Sequence, residues 1–296
     1  MLLLTLRPDQ YKMKNLIALG VVLASFSSTL FSQENEKKEI CDCPSQSKIG
    51  KGTFYLSWGY NREVYTKSDI HIKNLSGELN PNTGNYDYYD FTIHDVAARD
   101  KSGFKEMFHT DLTIPQYNYR LGYFFNDKHD LGIEINFDHA KYIMRDWQTL
   151  RVSGQIFGQP IDKDTLINPA TFLHFEHSDG ANFLMLNFMK RQRLFVSKNK
   201  KIWLSGIVKA GAGPVIPRTQ VTLFGQDLNN CFHIAGWCAG VEAGLRFDLF
   251  KYIYVEYTGK GLYADYRNVL VLGSGRAHHH FWAAENILVL GFQFPI

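Results

Sequence analysis

The sequence predicts an all-β fold: a closed eight-stranded antiparallel transmembrane β-barrel with long extracellular loops. Three observations carry that expectation. An apolar period of two recurs in segment after segment, the connections sort into short and long, and the composition is rich in Phe, Tyr and Gly. Aromatic residues make up 15% of the 296-residue chain, with 22 Phe, 16 Tyr and 24 Gly. That mix favours strands with close backbone approaches over helices.

The alternation is cleanest in "LGIEINFDHAKY", Leu131 to Tyr142. Leu131, Ile133, Ile135 and Phe137 fall on one side, and Gly132, Glu134, Asn136 and Asp138 on the other. Phe54, Leu56, Trp58 and Tyr60 alternate with Tyr55, Ser57, Gly59 and Asn61. Tyr117, Tyr119, Leu121, Tyr123 and Phe125 alternate with Gln116, Asn118, Arg120 and Gly122. The same pattern runs through Trp237 to Leu249 and through Ile253 to Tyr257. It is looser in Asn182 to Phe195, Ile202 to Pro214 and Phe281 to Phe294. These segments make an even set, as a single-chain antiparallel barrel requires.

Three connections are short: Asn126 to Lys128, Ser197 to Lys200, and the reversal at Phe250 and Lys251. The alternate ones are long. About 45 residues separate Ile70 from Pro115, about 40 separate Tyr142 from Ala181, and the last two run to about 15 each, well above a hairpin loop. Short turns at one end and long loops at the other suit a barrel whose periplasmic side only reverses the chain. On this reading Glu63, Arg120, Glu134, Asp138, Lys209, Glu242, Arg246, Glu256 and Lys260 point inward as a charge network. Eight strands leave just enough interior for side chains, so buried ions must pair there. The apolar rows face lipid, with Tyr and Trp near the strand ends as an interfacial girdle.

From Gly52 to Ile296 the chain resembles small outer-membrane β-barrels of the OmpA/OmpX type, including the lipid A modifying barrels. The loop asymmetry and the terminal strand "ILVLGFQFPI" carry the likeness. That strand ends with Phe294 near the carboxyl end, similar to the barrel insertion signal of such proteins, although Pro295 and Ile296 follow the aromatic. The resemblance implies a bacterial outer-membrane location. A secreted soluble β-sandwich binding protein is the alternative reading.

The N-terminal stretch reads as an export signal over residues 1–32. Its start is best placed at Met13, followed by an apolar run from Leu16 to Leu23 and a cleavage point near Ser32. Residues 33–51 form a periplasmic segment and 52–296 the barrel. No later segment has the ~20 continuous apolar residues of a transmembrane helix. The formal net charge of +3, from 32 basic and 29 acidic residues, gives no reason to expect nucleic acid. Cys41 and Cys43 are too few for a metal site by themselves, and the sequence leaves their pairing with Cys231 and Cys238 open.

Most of the histidines gather toward the long-loop end: His71, His94, His109, His139, His174, His177, His233 and the run His278 to His280. On a strand His278 and His280 share a face and His279 takes the other, so His278 and His280 are the candidate zinc or copper ligands. The competing reading is a hydrogen-bonding aromatic surface. No cofactor is expected. In "FLHFEHSDGANF" the trio Ser178, His177 and Glu176 supplies the residue types of a serine-type acyl hydrolase. It resembles the His-x-Ser-Asn motif of lipid A deacylases but departs from it, because His177 and Ser178 are adjacent; a turn-forming role is the alternative. The segment Tyr86 to Asp100 alternates as a hairpin standing above the membrane, with an edge open to another protein. The sequence therefore points to a monomeric barrel in contact with outer-membrane lipid and lipopolysaccharide, with a structural or binding role through its loops. Lipid A acyl hydrolysis is the alternative.

Overall fold

A computed structural model describes residues 52–77, 88–101, 116–125 and 129–296. The expected signal, the periplasmic segment, Cys41, Cys43, His109 and the turn at Asn126 to Lys128 lie outside them. Among the described residues all regular structure is strand. In chain order these are β1 (Gly52–Tyr65), β2 (Ser68–Asn74), β3 (Tyr89–Val96), β4 (Ala98–Arg99), β5 (Tyr117–Phe125), β6 (Leu131–His139), β7 (Tyr142–Met144), β8 (Thr149–Ile156) and β9 (Gln159–Leu166). Then follow β10 (Leu173–His177), β11 (Phe183–Val196), β12 (Ile202–Val215), β13 (Gln220–Leu223), β14 (Gln226–Asn229), β15 (Gly236–Leu249), β16 (Ile253–Leu270) and β17 (Arg276–Pro295).

The segments picked out by alternation are β1, β5, β6, β11, β12, β15, β16 and β17. They hydrogen-bond in that order, every pair antiparallel, and β17 pairs back onto β1 from Thr53 opposite Pro295 to Tyr65 opposite Ala283. Each of these strands therefore has two neighbours, which leaves no free edge in this ring of pairings. The apolar rows face out: Leu121 is 53% exposed, Ile135 51% and Phe188 70%, while Glu134 on the opposite row is 1% exposed. In Leu131 to Tyr142, Glu134 and Asp138 are buried inside and the leucine and isoleucines lie outside.

The strand ends differ from expectation. β16 and β17 continue well past Lys260 and Phe281 and are joined by only Val271 to Gly275, so the expected loop of about 15 residues is a tall hairpin instead. The other long connections fold into strands of their own. The upper part of β17 pairs with β2, and β2, β3, β8 and β9 extend the sheet beyond the ring. A second sheet runs β14, β13, β10, β7, β4. Ile70, Ile72, Phe91 and Ile93 of the first sheet share one apolar core with Tyr142, Met144, Phe175, Val221 and Leu223 of the second. Of the segment Tyr86 to Asp100, expected to be a hairpin with an open edge, the described part from Tyr88 onward is the single strand β3 followed by the short β4. β2 and β8 cover β3 on both sides, so the open edge passes to β9.

Inside the ring the side chains form layers. Phe183, Met185, Cys238, Leu262 and Phe281 belong to the apolar core that continues upward between the two sheets. Ion pairs fill the middle. Tyr55, Phe124, Met189, Ile207 and Tyr254 form a smaller apolar cluster toward the tight turns. Two glycines make that cluster possible. Tyr55 lies over Gly122 and Tyr254 over Gly291, each directly opposite its glycine across the strand pair, and a Cβ at either glycine would meet ring carbon at 2.2 Å. Gly122→Val is therefore expected to displace Tyr55 and cost about 1–3 kcal/mol, the usual penalty of overpacking. Urea unfolding in detergent micelles measures it, and a wild-type midpoint would count against this packing.

Candidate functional site

The ring interior holds every residue expected in the charge network, all buried. Arg120 Nη1 donates to Glu134 Oε1 at 2.9 Å and to Glu242 Oε2 at 3.0 Å. Lys209 Nζ reaches Glu256 Oε1 at 2.7 Å, Glu134 Oε2 at 2.9 Å and Glu242 Oε1 at 3.3 Å. Tyr55 adds a hydroxyl to Glu134 at 2.6 Å. One cation thus serves several carboxylates, which lie on different strands. Lys260 pairs with Asp138 at 2.5 Å and stands 3.4 Å from Glu285. Glu63 differs from the rest: Asn61 and Gln116 donate to it through their amides, and it sits directly opposite Glu285.

Arg246 is fully enclosed, at 0% exposure. It donates to Asp248 at 3.0 Å and Gln293 at 2.8 Å, approaches Glu256 at 3.6 Å, and stacks on Tyr254 with 3.4 Å to the ring centroid. Asp248 and Glu285 are interior acids that sequence reading left out. Strand parity places both inward: Asp248 follows Arg246 by two, and Glu285 lies two residues before the inward Ile287.

Above the charges, β10 and β17 bring two histidines into the apolar core. His177 is 0% exposed and His279 1%. Their Nε2 atoms are 3.0 Å apart, and His177 Nδ1 is 2.9 Å from Thr219 Oγ1. Tyr266 stacks on both rings, while Tyr142 and Phe175 close the box. One proton must sit between the two Nε2 atoms. With His279 as donor, His177 carries its own proton on Nδ1 and gives it to Thr219, which leaves only the bare acceptor His279 Nδ1 without a partner. The opposite tautomers would orphan a buried N–H, the costlier arrangement.

This packing draws His177 away from the other two expected catalytic residues, Glu176 and Ser178. Both nitrogens of His177 point to Thr219 and His279, and Ser178 lies in the turn after β10. Glu176 accepts from Ser178 and faces His174 Nε2 at 3.3 Å, and His174 Nδ1 is 3.0 Å from Asp146. Burial alone would raise the Glu176 carboxyl, yet the bonds from His174 and Ser178 hold it below the usual range; the bond to Glu176 in turn raises His174. The serine meets a carboxylate, and both nitrogens of the imidazole beside it face acids. A general base needs a free imidazole lone pair, which this chain of contacts does not present to Ser178.

His278 and His280 stand on the outer face, their ring centroids 6.1 Å apart. His278 Nε2 is 3.0 Å from Asp265 Oδ1. Among the described residues, no three His, Cys, Asp or Glu side chains already converge on a point. Among the described residues Cys231 is exposed, Cys238 is buried, and no disulfide joins them.

No protein-family model matches the chain, and no curated protein matches it. Among solved structures it is similar to Ail of Yersinia pestis, crystallised with the heparin analogue sucrose octasulfate, at 13% identity and a TM-score of 0.30 over 82% of this chain and 99% of that one. It is similar to OprG of Pseudomonas aeruginosa at 10% identity and a TM-score of 0.33, over 83% and 98%. A third is the neisserial surface protein NspA, at 10% identity and 0.30, over 82% and 97%. The chain resembles small outer-membrane β-barrel proteins.

Two predictions follow from the geometry. Arg246→Leu leaves Asp248 buried without its cation and Glu256 with Lys209 alone, so a loss of about 3–5 kcal/mol is expected, and Arg246→Leu with Asp248→Leu should cost less than the two changes added together. Chemical unfolding of the three variants decides it. The second concerns pH. Burial pushes the His177 imidazole down to about 3, whereas the unfolded side chain takes up its proton near the ordinary ~6.5. The neutral form therefore contributes its full stability above ~6.5. That contribution falls by about 1.4 kcal/mol for each pH unit from there toward the folded value. Amide exchange of β10 and β13, corrected for intrinsic rate, should accelerate between pH 7 and 5 in wild type and less so in His177→Phe.

Proposed function

We propose that this is a closed, eight-stranded, monomeric outer-membrane β-barrel that carries a folded cap on its extracellular side and acts by binding or scaffolding at the cell surface. One observation carries the reading. The ring is built inside out, with charges within it and Leu56, Leu121, Ile135, Leu186, Phe188, Val241, Leu245, Leu288 and Leu290 exposed around it. Such a belt needs lipid to cover it. Trp58, Tyr60, Tyr119, Trp237 and Trp282 lie exposed toward the cap end of that belt, where an interfacial girdle belongs, and Phe195, Phe250, Tyr252 and Phe294 lie toward the tight turns. The tight turns are then periplasmic, and the outer leaflet with its lipopolysaccharide meets the Trp282 end.

The binding role follows from what fills the ring. Apolar, ionic and aromatic layers succeed one another through the lumen, so function falls to the cap rather than to a pore. The cap offers the exposed edge of β9 and the outer face of β2, β3 and β17 to a protein partner.

The chain purified from outer membranes is expected to migrate faster unheated than boiled on SDS gels, and protease is expected to cut it on intact cells only beyond the Trp282 end. A band insensitive to heating, or a soluble chain, would instead support the secreted β-sandwich. Mass spectrometry of lipid A from cells with and without the protein should show the same acyl chains. Loss of an acyl chain that depends on Ser178 would replace the binding reading with acyl hydrolysis.

A further inference from the structure

Lys260 sits where the ion pairs of the ring meet the apolar core above them. It points inward from β16 at 2% exposure, with the Phe183 ring centroid 5.8 Å from its Nζ and Leu262 next on the same face. There it meets Asp138 of β6, 0% exposed, at 2.5 Å. Three ring strands separate β6 from β16 in either direction, so the contact runs straight across the lumen.

The surroundings set this pair apart from the other ion pairs of the ring. Lys209 lies among Glu134, Glu242 and Glu256, three carboxylates that all draw on its charge. Lys260 touches one carboxylate and has a second close by. Glu285, directly opposite it on β17 and 1% exposed, stands 3.4 Å from Nζ, and among the described residues neither of its oxygens has a hydrogen-bond partner. Glu242, directly opposite on β15, is taken up by Arg120 and Lys209. Asp138 is as one-sided. Its Oδ2 accepts from Lys260 and from the Asn136 amide, whereas Oδ1 has no hydrogen-bond partner among the described residues and faces Arg120 Nη2 at 3.7 Å. An amine against a carboxyl carbon, an unoccupied carboxylate beside the amine and a cation at the carboxyl oxygen are the parts that acyl transfer needs.

We propose that Lys260 Nζ and Asp138 Cγ join in an amide after the ring has closed, with Glu285 as the proton carrier and Arg120 as the oxyanion partner. Burial opens the route, because two charges withdrawn from water lose most of their advantage over the neutral amine and acid. One proton passes from the Lys260 ammonium to Asp138 Oδ2. The N–O contact of 2.5 Å already brings the amine to the separation of about 3–3.5 Å from the carboxyl carbon that a near-attack geometry requires. As the Nζ–Cγ bond forms, Glu285 takes a second proton from Nζ and the negative charge gathers on Oδ1, toward Arg120. Glu285 returns that proton to Oδ2, the Cγ–Oδ2 bond breaks, and one water leaves. Oδ1 becomes the amide carbonyl, Nζ keeps its last proton, and nothing is oxidised or reduced. The product is a covalent strut between β6 and β16 that replaces two buried charges with one neutral amide.

The full chain, folded in detergent micelles, then denatured and digested with trypsin, provides the test by mass spectrometry. Trypsin cuts after Lys and Arg, so the two sides are the peptides from His129 to Lys141 and from Tyr252 to Arg267. They are expected as one species, lighter than their sum by one water and uncut at Lys260. Chain collected from inclusion bodies in urea should lack this species and gain it on folding into micelles. Lys260→Arg and Asp138→Ala should abolish it. Glu285→Gln, which keeps the shape of the side chain, should slow its formation about 100-fold or more, the scale of a lost acid–base group. Resistance of the undenatured chain to trypsin reports whether each variant folds, and the wild-type digest decides even where one does not. Free peptides with cleavage after Lys260 in folded wild type would overturn the amide. Undiminished formation in Glu285→Gln would overturn the role of that carboxylate. Neither readout depends on how the chain sits in a membrane.

Discussion

Burying charge inside a ring of strands is the constraint on which the rest of this molecule depends. An outer surface of Leu121, Ile135, Phe188 and Leu288 leaves the opposite rows no place except the interior. An unpaired ion there would cost several kcal/mol. The chain meets this by sharing cations: Lys209 spans Glu134, Glu242 and Glu256, and Arg120 spans Glu134 and Glu242. The contacts from Arg120 to Glu242 and from Lys209 to Glu134 and Glu256 run between non-adjacent strands, so they fix the shape of the ring as well as its charge. Glycines supply the room, as Gly122 and Gly291 do beneath Tyr55 and Tyr254.

The cap answers a different problem. Strands that rise beyond the ring lose one neighbour, and each exposed edge or apolar face must be covered. β17 exchanges β1 for β2 at this height, and the second sheet covers the face that Ile70, Ile72 and Phe91 present. The same core descends into the ring through Phe183, Leu262 and Phe281. Cap and ring therefore share one packed interior, and the His177–His279 pair is set where they meet. Two neutral imidazoles that satisfy each other and Thr219 behave there as aromatic core residues.

How much of this was legible in the sequence depended on length and regularity. The ring strands have long runs of strict alternation, and one residue of slip would turn every side chain over, so Glu134, Arg246 and Lys260 could be assigned inward from parity alone. The same parity separated His279 from His278 and His280. β7, β10, β13 and β14 are three to five residues each, too short for a period to show, and β10 pairs with β7 and β13, segments far from it in the chain. That is why these parts of the long connections read as loops. Residue types alone made Glu176, His177 and Ser178 a candidate trio, and they do not say which side chain turns into a core; at the end of β10, His177 turns inward while Ser178 enters the turn.

Rigidity is the property this arrangement gives the cap. A loop bound only to itself pays its ordering entropy when it meets a partner. Here β2, β3 and β8 are already paired, and Tyr142, Phe175 and Tyr266 are already packed. A partner meeting the edge of β9 or the outer face of β2 and β17 would find its contact groups prepositioned, so that cost has been met during folding. The charged lattice beneath holds the ring, and the ring holds the base of β17 and β2. Those two strands connect the interior to the exposed surface, because His279 and His278 are neighbours on β17: the first is locked to His177 in the core, and the second faces out beside His71.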